Sequence, residues 1–118
     1  WYITMNEKKE PWSKVEARQA VAYAIDRAAI VQAVSFGTAV QNQLAIPSES
    51  TWYVEYAPFT TDLNRSRDLL AKAGVQNTPV TYMATGEYPE TVAVGQLLAD
   101  VLRPIGSLTS IACGRWRR

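Results

Sequence analysis

Residues 11–27 read Pro11-Trp12-Ser13-Lys14-Val15-Glu16-Ala17-Arg18-Gln19-Ala20-Val21-Ala22-Tyr23-Ala24-Ile25-Asp26-Arg27, and the spacing inside this stretch decides the architecture around it. Ala17, Ala20, Val21, Ala24, Ile25 and Ala28 recur at helical intervals and form one apolar stripe. Most of the stripe is alanine, so the helix that carries it can approach a neighbour closely. Ser13-Lys14-Val15-Glu16 has the form of a capping box. In that motif the serine accepts from the backbone N–H three residues on, and the glutamate reaches back to the serine N–H. Asp26 is awkward inside a helix and well suited to capping one. The pattern therefore predicts two helices with a bend near Asp26, the second running from Arg27 to Val34 with Gly37 as its left-handed stop. One continuous helix with Asp26 exposed is the alternative.

Upstream, Trp1 to Met5 is short, aromatic and β-branched and reads as a strand, followed by a polar loop from Asn6 to Trp12. The opening Trp1-Tyr2-Ile3 reads as the interior of a longer protein, so a fragment is expected. Downstream, residues 38–60 have no sustained period. They hold Pro47, Pro58, the polar run Gln41-Asn42-Gln43, and the aromatics Trp52, Tyr53, Tyr56 and Phe59. A long irregular stretch in a small domain is usually functional or packed onto a partner surface, and the aromatics argue for packing. Asp62 then caps a third helix, with Leu63, Ser66, Leu69, Leu70 and Ala73 on one side and Gly74 as its stop. Val80 to Met83 reads as a strand. Pro89 suits the first turn of a fourth helix, whose apolar side is Val92, Val94, Leu97, Leu98, Val101 and Leu102, and Pro104 and Gly106 end it. The fold class is α/β, helix-rich with few strands.

The chain has 118 residues, room for one domain. Its 47% hydrophobic content is that of a globular domain. Twelve basic and eleven acidic side chains leave a formal charge of +1, which gives no electrostatic footprint for nucleic acid. The one local excess, Arg115, Arg117 and Arg118, reads as a solvated or extraneous end rather than a binding patch. Histidine is absent and Cys113 is the one cysteine, which removes the usual soft metal sites, Cys–His pairs and intramolecular disulfides. No apolar run approaches the ~20 residues needed to span a bilayer, and no basic-then-apolar signal opens the chain.

Enzyme chemistry finds no support in this sequence. The glycines are scattered without nucleotide-binding spacing, and Ser35 and Ser48 have no base arranged beside them. Glu87 and Glu90 flank a helix start, where their charges favour the dipole. Neither a metal nor a cofactor is expected. Recognition is a different matter. Gln41, Asn42 and Gln43 can donate and accept hydrogen bonds, while Trp52 and Tyr53 offer flat faces for stacking, so these five are the candidate ligand-binding residues. The plainer reading is a solvated loop with satellite core packing. Tyr88, just before the fourth helix, is a weaker candidate for a cleft.

The stretch from Pro11 to Arg27, with Arg18-Gln19-Ala20 running into Tyr23-Ala24-Ile25-Asp26-Arg27, resembles the signature of the extracytoplasmic solute-binding proteins of family 5, which serve oligopeptides, dipeptides and nickel. Further blocks follow in the family's order: Asn6 after an aromatic segment, Gly37-Thr38-Ala39, Ile46-Pro47, Trp52, Asp62 through Gly74, and Leu97 through Gly106. The resemblance covers residues 1 to about 106. It implies a partial second lobe of a two-lobed periplasmic-binding-protein-like fold, with 107–118 as a divergent or extraneous tail. Ser107-Leu108-Thr109-Ser110 breaks the alternating apolar strand that the family carries there.

Several functional expectations follow from the resemblance. The whole protein is periplasmic or extracellular and membrane-associated, and it hands a peptide or similar small solute to an ABC permease. This segment alone has no complete site and binds no peptide tightly. As a fragment it is expected to self-associate through exposed apolar surface, from Val15 to Ile25 or from Val92 to Leu102. The alternative function is a stand-alone helical interaction or adaptor domain, its alanine-rich stripe buried against a partner protein.

Overall fold

Ala17, Ala20 and Ala24, each at most 1% exposed, seat the first helix directly against the third. The computed structural model describes residues 3–105 and 108–114. Within them lie α1 (Val15–Ala24), α2 (Arg27–Ser35), α3 (Leu63–Ala73), β1 (Pro79–Thr85), α4 (Pro89–Leu102), a 3-10 turn (Arg103–Ile105) and β2 (Leu108–Gly114). The α1–α3 contact excludes solvent fully. Ser66 of α3 is 0% exposed, and its hydroxyl donates to the Ala20 carbonyl at 2.6 Å. A buried hydroxyl needs such a partner. At one end of the pair the Lys14 ammonium donates to the Ala73 carbonyl at 2.8 Å, a cation at the C-terminus of α3.

The break at Asp26 is present. Ile25 is extended, and the Asp26 carboxylate accepts from the Ala29 N–H at 3.0 Å to start α2. Ending α1 there leaves its last carbonyls without helical donors, and later residues supply them. Arg27 Nη1 donates to the Ala22 carbonyl at 3.3 Å and the Asp62 N–H to the Tyr23 carbonyl at 2.8 Å. The Thr61 hydroxyl donates to the Ile25 carbonyl at 3.1 Å. The bend and the approach to α3 are thus one hydrogen-bonded unit. The stop of α2 is shared: Phe36 takes a left-handed conformation first (φ 51°) and Gly37 follows (φ 75°). In α3 the Asp62 carboxylate accepts from the Arg65 N–H at 2.9 Å, and Gly74 closes the helix at φ 65°.

The capping box at Ser13 does not form. Lys14 is the N-cap of α1 and no side chain caps it. The preceding turn has already paired the Ser13 N–H with the Lys9 carbonyl at 3.1 Å, so Glu16 has no free donor to reach. The Ser13 hydroxyl instead donates to Glu10 at 2.7 Å, and Glu16 lies 3.6 Å from Lys72 of α3. The opening strand is also absent over Ile3–Met5, where no second strand lies alongside among the described residues and Met5 packs onto the core. Trp1 and Tyr2 lie outside the described residues. Caps differ in expected worth accordingly. Asp62→Ala should lower stability by about 1 kcal/mol, and Ser13→Ala should stay within about 0.5 kcal/mol of the parent. Urea unfolding of the two variants checks this, and equal losses would refute the assignment of Lys14 as N-cap.

β1, α4 and β2 form a βαβ unit with parallel strands, Val80 paired with Thr109 and Tyr82 with Ile111. Val80 and Ala84 of β1 are buried, while Met83 between them is exposed. Helix α4 packs on both strands and reaches α1 and α2 on its other side. The interrupted alternation after Ser107 argues against a strand, yet β2 runs from Leu108 to Gly114. Pairing in parallel register with β1 satisfies its backbone whatever its side-chain pattern. Gly106, Ser107, Arg115, Arg117 and Arg118 lie outside the described residues.

One core joins these layers: Ala17, Ala20, Val21 and Ala24 of α1, Leu70 and Ala73 of α3, and Val94, Leu98 and Leu102 of α4, closed by Val75 and Ile105. Of the surfaces expected to be bare for self-association, Ala17, Ala20, Val21 and Ala24 of α1 and Val94, Leu98 and Leu102 of α4 are covered within the chain, while Ile25, Val92, Leu97 and Val101 are half-buried. The apolar stripes of α1 and α4 are buried within the chain, which equally removes the alanine stripe as an adaptor surface. The stripes are filled because α3 and the βαβ unit are both present here. Val15, at the start of α1, stays 47% exposed, and further large apolar side chains are exposed at Phe36, Val40, Trp52, Val54, Tyr56 and Met83.

Candidate functional site

Residues 38–61 carry no helix or strand and still hold a defined shape, because side-chain amides take the place of a backbone ladder. Gln43 donates from Nε2 to the Phe59 carbonyl at 2.7 Å, and its Oε1 accepts from the Phe59 N–H at 3.1 Å. That two-point link joins residues sixteen positions apart in the chain. Asn42 works locally: Nδ2 donates to the Ile46 carbonyl at 2.6 Å, and Oδ1 accepts from the Leu44 N–H at 3.0 Å. This is Asx-type turn chemistry. Phe59 is anchored in turn, its ring edge-on to Tyr23 at 5.1 Å between centroids, with the Arg65 guanidinium 4.5 Å over the Tyr23 ring. The irregular segment is thereby fastened to α1 and α3.

Fastening the segment leaves two clefts beside α2. One, of about 580 Å³, lies between the apolar side of α2 (Ile30, Val31, Val34) and residues 39–49. The other, of about 420 Å³, lies between the start of α2 and residues 53–61. Gln41, Asn42, Gln43 and Arg27 line both and form the ridge that divides them. Tyr53 lines the second cleft only. Trp52 lines neither and stands 82% exposed. Four of the five candidate residues therefore meet at one place and Trp52 does not.

Within that set the roles divide. Asn42 and Gln43 spend their amides on the backbone of the loop itself, whereas Gln41 is exposed and makes no side-chain hydrogen bond among the described residues. Arg27 escapes a reading of loop composition because it sits one position past a helix cap. The signal for it is that α2 carries Ile30, Val31 and Val34 yet buries no residue fully, which marks a helix face bordering open space. Burial lowers the Arg27 pKa from its ordinary value. No acidic side chain pairs with it among the described residues. No group of three metal-ligating side chains occurs there either. The described residues at this place offer hydrogen-bonding groups, one positive charge and apolar contact.

Comparison with known proteins bears on the same region. The family model described as bacterial extracellular solute-binding proteins, family 5, middle region, matches residues 1–117. The glutathione-binding protein GsiB of Pectobacterium atrosepticum is 33% identical over 76 residues, which are 64% of this chain and 15% of that protein. Heme-binding protein A of Haemophilus influenzae is 37% identical over 78 residues, 64% of this chain and 14% of that one. Among solved structures, the dipeptide binding protein of Pseudoalteromonas sp. SM9913 in complex with Met-Leu superposes with a TM-score of 0.82 at 25% identity. That match covers 94% of this chain and 23% of the other. The chain thus spans a small part of the length of each relative.

Proposed function

The chain belongs to the bacterial extracellular solute-binding proteins of family 5, and on that premise we propose that it forms part of the second lobe of an ABC importer's binding component, holding a peptide-like solute outside the membrane for delivery to a permease. The observation that carries the ligand side of this reading is the ridge of Arg27 and Gln41–Gln43 between two clefts, the larger walled on one side by the half-buried apolar residues Ile30, Val31 and Val34 of α2. Polar groups on an apolar wall suit a solute with a charged backbone and variable side chains, and a cleft of several hundred Å³ is of ligand size. The ligands in the names of two relatives, glutathione and a dipeptide, have that chemistry. Residues 1–106 are assigned to the lobe and supply one wall of the site, which a facing lobe would complete on closure. The role is binding without catalysis, and membrane association comes through the permease or an anchor.

Isothermal calorimetry on the full-length protein encoded by the gene tests this. Di- and tripeptides, glutathione and heme are titrated in turn. Micromolar or tighter binding of a peptide is the expected result. Tight binding of heme with no response to any peptide would replace the peptide reading with a porphyrin one.

A further inference from the structure

Two of the three amides on the ridge are consumed by the loop, which leaves Gln41 and Arg27 as the polar groups with capacity to spare. Arg27 has five N–H donors and commits one to Ala22, at a long 3.3 Å. It has no ion pair among the described residues, although it is only partly exposed and lines both clefts. The acids nearest it along the cleft walls do not take its charge. Asp26 is engaged in capping α2, and Glu49, on the wall of the larger cleft, forms no ion pair among the described residues. A half-desolvated guanidinium without a counter-charge attracts a planar anion that can accept two N–H bonds side by side. Gln41 lies on the same ridge and offers both a donor and an acceptor.

We propose that Arg27 and Gln41 together form the anion-recognition point of the groove and take a carboxylate of the bound solute. This rests on the solute-binding reading above and sharpens it. The solute is a carboxylic acid whose charged end meets Arg27 at the ridge, with its apolar part along Ile30, Val31 and Val34 of α2. Carboxylate rather than phosphate is assigned because one guanidinium with one amide matches a single negative charge, and no second cation lines either cleft among the described residues.

The test is protection of Arg27 from phenylglyoxal in the full-length protein, read by peptide mass mapping, with trialanine, trialanine C-terminal amide, sodium acetate and inorganic phosphate as probes. Trialanine should slow modification of Arg27 at least tenfold, acetate should do so at far higher concentration, and the amide should not. In calorimetry, Arg27→Gln should weaken trialanine about tenfold or more, the scale of a lost charge-assisted hydrogen bond. Arg27→Lys should recover part of that affinity, and Gln41→Ala should cost a few-fold. Trialanine binding with Arg27 modified at an unchanged rate would overturn this inference and leave the solute-binding reading intact. Acetate protection without binding of any peptide would do the reverse. Protection by phosphate and not by acetate would overturn the carboxylate assignment.

Discussion

Truncating Leu98 to alanine is expected to lower the unfolding free energy by about 3 kcal/mol, within the range for a buried leucine whose removal leaves a cavity. Leu98 is 4% exposed and lies on the inner side of α4, the helix that touches both strands on one side and α1 and α2 on the other. Its side chain belongs to the core shared with Val21 of α1 and Leu70 of α3. No single layer can move in to fill the gap without abandoning another, so relaxation is limited and the cavity term stays large. Met83→Ala is the control: the side chain is 84% exposed and should change stability by no more than about 0.5 kcal/mol. Urea unfolding followed by circular dichroism measures both. A Leu98→Ala loss below about 1 kcal/mol would mean that α4 does not join the helical layer to the sheet as described.

The elements that sequence reading locates well are those whose signals are local. Asp26 and Asp62 each cap a helix through their own carboxylates, and Gly74 ends one by its own backbone freedom, so residue type alone announces them. Ser13 carries the same kind of signal and fails, because its N–H is taken by Lys9 in a turn that the four-residue motif does not see. Strand β2 is missed for a related reason: a parallel partner twenty-nine residues away, as in Val80 with Thr109, supports a segment whose own side-chain pattern is poor. The site is legible in half. Amides in an irregular loop point to Gln41–Gln43, which line both clefts. Composition cannot say that Gln43 bonds Phe59 while Gln41 has no side-chain hydrogen bond among the described residues, nor that an arginine at the start of the neighbouring helix lines the same two clefts. Those distinctions depend on which carbonyls remain unpaired once the chain has folded.

Ala20→Leu should be as damaging as the Leu98 truncation, for the opposite reason. Ala20 is 0% exposed at the α1–α3 contact, where its own carbonyl accepts the Ser66 hydroxyl at 2.6 Å. Three added carbons cannot enter that contact unless the helices separate. Separation stretches the Ser66 bond and leaves a buried hydroxyl without its acceptor. Overpacking alone costs up to about 3 kcal/mol, and an orphaned buried hydroxyl adds about 1 kcal/mol or more. Ala33→Leu, on an exposed part of α2, introduces the same side chain with little expected change. Separating α1 from α3 also loosens the bend that both support, since Asp62 and Thr61 hold the end of α1 from the α3 side. The loss should therefore reach the ridge, and Arg27 in Ala20→Leu should react faster with phenylglyoxal even below the unfolding transition. Full stability in Ala20→Leu would show that α1 and α3 do not meet through alanine. Reduced stability with Arg27 reactivity unchanged would show that the bend keeps its shape without the α1–α3 contact.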